Sequence, residues 1–296
     1  MKIIHSLWTK PMFKNGIKHV NDRFSGGWLE PKHNYMSWVL SCLQFKKFYP
    51  EIELVTDAFG KEILVEKIGL PYSKVHVCLD VLNDFHPDLW ALGKIYAYSM
   101  QNSPFLHVDG DAYIWEKFSN EFENNELIAQ NEEKNFPMYA ESINEIESNF
   151  TYIPESFRRE RKINSDIIAY NAGIFGGTDV DFFQEYSKEV FQFVEKNRDN
   201  LRNINIGVFN MIYEQYLFHC MAKERSKIVK CFKKDVDVDF QGFGDFAGVP
   251  KKSKYIHVLG EYKKQKHIGI EIERRLILDY PEYYYRILNL LSKNEL

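Results

Sequence analysis

Residues 105 to 111, Phe-Leu-His-Val-Asp-Gly-Asp, set two carboxylates at i and i+2 directly behind an apolar run. A short apolar run reads as a buried strand, and in open α/β sheets ligands gather just past the carboxyl ends of the strands. Alternation along an extended chain sends residues i and i+2 to the same side, so Asp109 and Asp111 can converge on one hard divalent cation. Gly110 between them adds no side chain to block the approach. Taken alone, the same tripeptide also reads as turn chemistry that closes a strand.

Three more segments carry residues of the right types. Asn171-Ala-Gly173-Ile-Phe-Gly-Gly177 combines an amide with glycines inside an apolar run, and its plain reading is a turn or bulge. His257-Val-Leu-Gly260-Glu-Tyr-Lys263 offers an imidazole, a glycine and an ammonium, and His257 alone would read as a partly buried strand histidine. Met211-Ile-Tyr-Glu214-Gln215-Tyr-Leu-Phe218 places a polar pair on a helical pattern, where a solvated face is the plain alternative.

The elements that must position these groups follow from periodicity. Strands are expected at Lys2 to Trp8, Glu53 to Thr56, Lys74 to Cys78, Pro104 to Val108, Leu127 to Gln130, Ile167 to Phe175 and Tyr255 to Leu259. Helical spacing marks Tyr35 to Phe48, Lys61 to Ile68, Leu89 to Met100, Asp181 to Lys196 and Ile206 to Lys223. Strands that alternate with helices are the sign of βαβ units and a mostly parallel sheet. Residues 137 to 165 lack clear periodicity and read as a long loop or flap. Gly242, Gly244 and Gly248 mark a flexible segment, and the acidic run with Glu116, Glu121, Glu123, Glu126, Glu132 and Glu133 reads as a solvated face.

A chain of 296 residues with formal charge −4, 45% hydrophobic and 16% aromatic, suits one large α/β domain and excludes disorder. The division expected is a domain over residues 1–270 and a C-terminal helical extension over 271–296. Mild acidity gives no case for nucleic acid. The stretch Lys251 to Arg275 is nevertheless basic, with eight Lys or Arg against three Glu. Four dispersed cysteines read as reduced thiols, and no signal peptide or run of eighteen apolar residues is evident, so a cytoplasmic protein is expected. The arginines, tyrosines and leucines of Arg274 to Leu291 are compatible with peripheral contact at the inner face of a membrane; the plain alternative is an ordinary packed helix.

The order of the three motifs resembles retaining glycosyltransferases of the GT-A fold, especially glycosyltransferase family 8, with a D-x-D element, an N-A-G-V-like strand and a C-terminal H-x-x-G-x-x-K. The resemblance spans roughly residues 2 to 265, and the length and tone are also similar to a bacterial family of glycosyltransferase-like proteins. It implies a Rossmann-like GT-A domain that moves a sugar from a nucleotide-diphosphate donor, of the UDP-sugar kind, to a saccharide or lipid-linked saccharide acceptor with retention. Asp109, Asp111 and His257 would then hold Mn²⁺ or Mg²⁺, and an imidazole ligand favours manganese. Gly260 and Lys263 would lie against the diphosphate, while Asn171 and Gly173 would line the sugar pocket. Lys264-Gln265 follows here where members of the family commonly continue with Pro-Trp, so the shape of that closing loop differs. Gln215 would position or stabilise the sugar at the anomeric centre in a front-face transfer, with Glu214 beside it. Trp8, Asp57 and Lys94 stand where base, ribose and phosphate would be met; their plain readings are core, turn and an acidic neighbour's partner.

Two other classes fit parts of the pattern. A strand ending in Asp-x-Asp also opens the site of haloacid-dehalogenase-like phosphatases, but that motif is expected near the N-terminus and with Thr or Val where Tyr113 stands. A sugar- or nucleotide-binding protein on the same scaffold without transfer is the noncatalytic alternative.

Overall fold

The computed structural model describes residues 1–13, 26–234 and 244–296. Gly242 lies outside the described residues. The strands are β1 Lys2–Leu7, β2 Ile52–Thr56, β3 Lys74–Val77, β4 Phe105–Val108, β5 Ala112–Ile114, β6 Leu127–Lys134, β7 Ile168–Gly177, β8 Val229–Cys231 and β9 Tyr255–His257. They alternate with helices, which makes the chain α/β; β1 with β2, β2 with β3 and β6 with β8 pair in parallel, and β6 with β7 antiparallel. Two compact units are formed, an N-terminal unit (Lys2–Pro87, Val108–Lys117, Asp237–Leu296) and a middle unit (Asp88–His107, Phe118–Val236).

In the N-terminal unit β1 pairs in parallel with β2, from Ile3 opposite Ile52 to Leu7 opposite Thr56, and β2 pairs in parallel with β3. Ile3, Ile4, Leu54 and Val55 are fully buried, as a parallel sheet covered on both faces requires. The helix Pro31–Lys46 crosses between β1 and β2 with proline in its first turn, where the missing N–H costs nothing. Its Met36, Val39 and Leu40 pack in one core with Ile268, Ile272, Leu276 and Ile287 from the last two helices, Lys266–Asp279 and Pro281–Ser292. A separate antiparallel ladder pairs β5 with β9, Ala112 opposite His257.

The middle unit pairs β6 antiparallel to β7, with a register shift between Ala129 and Asn131, and parallel to β8. Its core is aromatic: Phe175 and Phe218 have ring centroids 4.2 Å apart, and Tyr98, Phe105 and Phe183 close around them. Residues 137–165, expected as a loop, instead hold two helices, Pro137–Asn149 and Glu155–Ile163. Tyr139, Ile143 and Ile146 are buried at i, i+4 and i+7, a helical stripe that polar neighbours obscure, and each helix follows or begins with a proline that fixes its start. The helix expected over Ile206 to Lys223 is widened into a single π segment at Ile212–Tyr216. Among the described residues, no helix is long and apolar enough to cross a membrane.

Candidate functional site

The chain leaves β4 at Val108 and turns through Asp109 and Gly110 into β5, so the first carboxylate sits at a strand's carboxyl end and the second at the mouth of the next ladder. Pairing of Ala112 with His257 brings the imidazole to the same place. His257 Nε2 lies 3.2 Å from Asp111 Oδ1 and 3.8 Å from Asp109 Oδ2, and one ligand atom from each of the three falls within 4.8 Å of the others. Two carboxylate oxygens and one imidazole nitrogen are a donor set suited to Mn²⁺ or Mg²⁺.

Lys263 joins the group from the 3-10 turn Gly260–Lys264, its Nζ 2.5 Å from Asp111 Oδ2. Burial alone would raise the Asp111 carboxyl, but the Lys263 ammonium and the His257 ring outweigh it and hold the group well below the ordinary carboxylate range. Asp111 is therefore an anion, the form that a metal requires. Tyr113 and Tyr255 respond the opposite way: burial, and then the nearby carboxylates, push both phenols up. Gly260 has φ +40°, a left-handed conformation that favours glycine, and a side chain there would meet nothing within 4 Å among the described residues.

Other expected residues of this unit are held by the chain itself. Asp57 accepts the Thr9 N–H and hydroxyl, each at 2.7 Å, and caps the helix Ala58–Lys61 by accepting the Gly60 N–H at 2.8 Å. Desolvation raises its pKa against these bonds. Trp8 is buried, and its indole N–H donates to Asn83 Oδ1 at 3.4 Å.

The middle unit gathers the remaining candidates into a buried polar cluster. Asn171 Nδ2 donates to Glu133 Oε1 at 2.8 Å, while Asn171 Oδ1 accepts the Gly173 N–H at 3.0 Å. The Tyr139 hydroxyl lies 2.5 Å from both Glu133 Oε2 and Gln215 Oε1. A single phenolic proton cannot serve two acceptor oxygens, so the Gln215 amide is better turned with its NH₂ toward the hydroxyl, leaving Tyr139 to donate to the carboxylate. Burial, then the Glu133 charge, raises the Tyr139 phenol and keeps it a donor. Next along the π segment, fully buried Glu214 pairs with Lys94 at 3.1 Å. Carbonyls of the widened turn at Tyr213 and Glu214 accept from the Tyr186 hydroxyl at 3.0 and 2.7 Å.

The sequence matches one family profile over residues 1–290, essentially its whole length. The chain belongs to the family of unknown function DUF6734. No curated protein matches it. Among solved structures it is similar to an active-site mutant of LgtC and to the galactosyltransferase LgtC in complex with donor and acceptor sugar analogs. Both are 11% identical to it and cover 72% of this chain and 70% of theirs, with TM-scores of 0.37 and 0.38. At those scores the likeness does not bear on function.

Within the DUF6734 chain, then, Asp109, Asp111, His257 and Lys263 come together in one unit, and Asn171 with Gln215, and Lys94 with Glu214, in the other. Glu133 and Tyr139 are the polar residues that sequence reasoning missed. Glu133 was expected on a solvated acidic face, yet it is 3% exposed, and Glu123 of the same run is buried too. The strand expected to end at Gln130 runs on to Lys134, and alternation from Asn131, which pairs with Asn171, puts Glu133 on the same side.

Proposed function

We propose that this protein is a metal-dependent glycosyltransferase that moves a sugar from a nucleotide-diphosphate donor, of the UDP-sugar class, to a glycan or glycolipid acceptor with retention. The observation that carries the reading is the convergence of Asp109, Asp111 and His257, with Lys263 against Asp111, from segments far apart in the sequence. Two carboxylates and an imidazole fit a hard-to-borderline dication, and Mn²⁺ is the ion chosen, with Mg²⁺ the alternative. When bound, the ion supplies Lewis-acid stabilisation to the departing diphosphate.

The chain's own residues do the rest. Lys263, held against Asp111, would provide a point charge for the diphosphate, and Gly260 would let the backbone approach closely. Asn171 and Glu133 would hold sugar hydroxyls, because amide and carboxylate groups held by their neighbours present fixed hydrogen-bonding positions, and Gly173 would leave room for the ring. Gln215 is a poor nucleophile; steadied by Tyr139, its amide would orient the sugar during front-face transfer. Glu214 is neutralised by Lys94, so its role is to hold the π segment that presents Gln215. Trp8 and Asp57 would shape the donor pocket through the β1 and β2 ends that they fix.

Incubation with a panel of nucleotide sugars and Mn²⁺ tests the reading. Release of nucleoside diphosphate, abolished by EDTA and by the Asp109→Asn, Asp111→Asn double variant, is the expected result. Neither turnover nor a Mn²⁺-dependent thermal shift with any donor would overturn it.

A further inference from the structure

Resting on the metal reading above, we propose that Ser37 and Ser41, one turn apart on the helix Pro31–Lys46, are positioning residues for the divalent-cation site. They anchor the backbone carbonyls of Gly110 and Asp109 through two buried relays, and so fix the turn from which both carboxylates project.

Ser37 is 1% exposed, and its hydroxyl donates to the Gly110 carbonyl at 2.8 Å while lying 2.7 Å from the Tyr113 hydroxyl. A serine hydroxyl carries one proton, so with that proton on Gly110 the Tyr113 phenol must be the donor to Ser37. The direction of the relay is Tyr113 to Ser37 to Gly110. Ser41 is fully buried and repeats the arrangement one turn later. Its hydroxyl donates to the Asp109 carbonyl at 3.3 Å and lies 3.1 Å from His5 Nε2. His5 Nε2 must therefore carry the ring proton, which leaves Nδ1 to accept from the Tyr72 hydroxyl at 3.0 Å. Burial pushes the His5 imidazole down to about 3, so the ring stays neutral and a single tautomer satisfies both neighbours.

All three carbonyls of the Asp-Gly-Asp turn are thus held. Asp109 also accepts the Ala112 N–H at 3.0 Å, and the Asp111 carbonyl accepts the Val258 N–H at 3.0 Å, next to the third ligand. Peptide planes held at each residue of the turn leave its side chains little freedom to spread. Metal sites tolerate ligand displacements of only about 0.2 Å, so an anchor of this kind acts on cation affinity as well as on stability. A merely structural anchor would affect stability alone.

The test titrates Mn²⁺ alone into the full-length protein by calorimetry, well below its unfolding temperature. The variants are Ser37→Ala/Ser41→Ala and, should that double variant fail to fold, Tyr113→Phe/Tyr72→Phe, each change removing one hydroxyl. Ser187→Ala is the control: Ser187 is buried in the other unit and loses one comparable bond, to the Phe183 carbonyl at 2.7 Å. The expected result is a Kd for Mn²⁺ raised about tenfold or more in the serine pair, severalfold in the tyrosine pair, and unchanged in the control. A wild-type Kd in the serine pair, or in the tyrosine pair where the serine pair does not fold, overturns the positioning role and leaves the metal site standing. Absence of Mn²⁺ binding by the wild type overturns both.

Discussion

Gly110→Ala is the substitution whose consequence can be worked out furthest. A methyl group at residue 110 would stand 2.6, 2.7 and 2.8 Å from three carbons of the Trp38 indole. Carbon atoms rest at about 3.5–4.0 Å, so ring or turn must retreat by roughly 1 Å. The ring cannot withdraw freely, because His5 packs edge-on against it with centroids 5.6 Å apart. Overpacking of this kind costs about 1–3 kcal/mol. The shift of the turn is the larger effect on function, since it exceeds by severalfold the ~0.2 Å that metal ligation allows. Calorimetric titration of Mn²⁺ into the folded variant should show affinity reduced at least about tenfold. Trp38→Ala in the Gly110→Ala background removes the opposing ring and should return most of that affinity. Wild-type Mn²⁺ affinity in Gly110→Ala, or no recovery in the double variant, would refute the steric argument.

Three further outcomes follow from buried charge and hydrogen bonding. His5 titrates at about 3 when folded and at its ordinary 6.5 when unfolded, so below pH 6.5 the unfolded chain takes up a proton that the folded chain refuses. Stability is complete above that pH and falls as pH drops toward 3, by about 1.4 kcal/mol per unit over most of the window; urea unfolding of a His5→Phe variant should show a shallower slope there, and equal slopes would count against it. Lys94→Met strands the Glu214 carboxylate, which is 0% exposed, and should destabilise the protein by about 3–5 kcal/mol, with most of the loss recovered on adding Glu214→Gln; chemical denaturation measures both. Glu133→Gln keeps the shape of the polar cluster but removes its charge, and should lower transfer turnover about 100-fold with little change in melting temperature. Wild-type turnover there would remove Glu133 from the site.

How much of this was legible beforehand depended on how local the signal was. The Asp-Gly-Asp turn, the strand before it and most of the helix Pro31–Lys46, expected at Tyr35 to Phe48, could be read because apolar runs and helical spacing are short-range patterns. His257 could be named as a candidate, but its meeting with Asp111 depends on β5 pairing with β9, and β5 is too short to stand out in the sequence. The helices within residues 137–165 were hidden because their apolar stripe is narrow: Tyr139, Ile143 and Ile146 stand among acidic and amide residues. The π segment at Ile212–Tyr216 leaves the helical period almost intact, so sequence spacing predicts an unbroken helix there. Asp57 shows the ambiguity of a strand-end carboxylate, since the same position that could meet a ligand serves to cap the next helix. Glu133 was lost because a run of acidic residues looks solvated until strand alternation is applied to each one.

The proposed chemistry depends on Asp109, Asp111 and His257 holding one dication. Crystals grown with Mn²⁺ and a nucleoside diphosphate, with diffraction recorded at the manganese absorption edge, test it most directly. A single strong anomalous peak is expected within coordination distance of both carboxylates and of His257 Nε2, lost in the Asp109→Asn, Asp111→Asn variant. A peak elsewhere, or none at this site in crystals that hold the nucleotide, would contradict it.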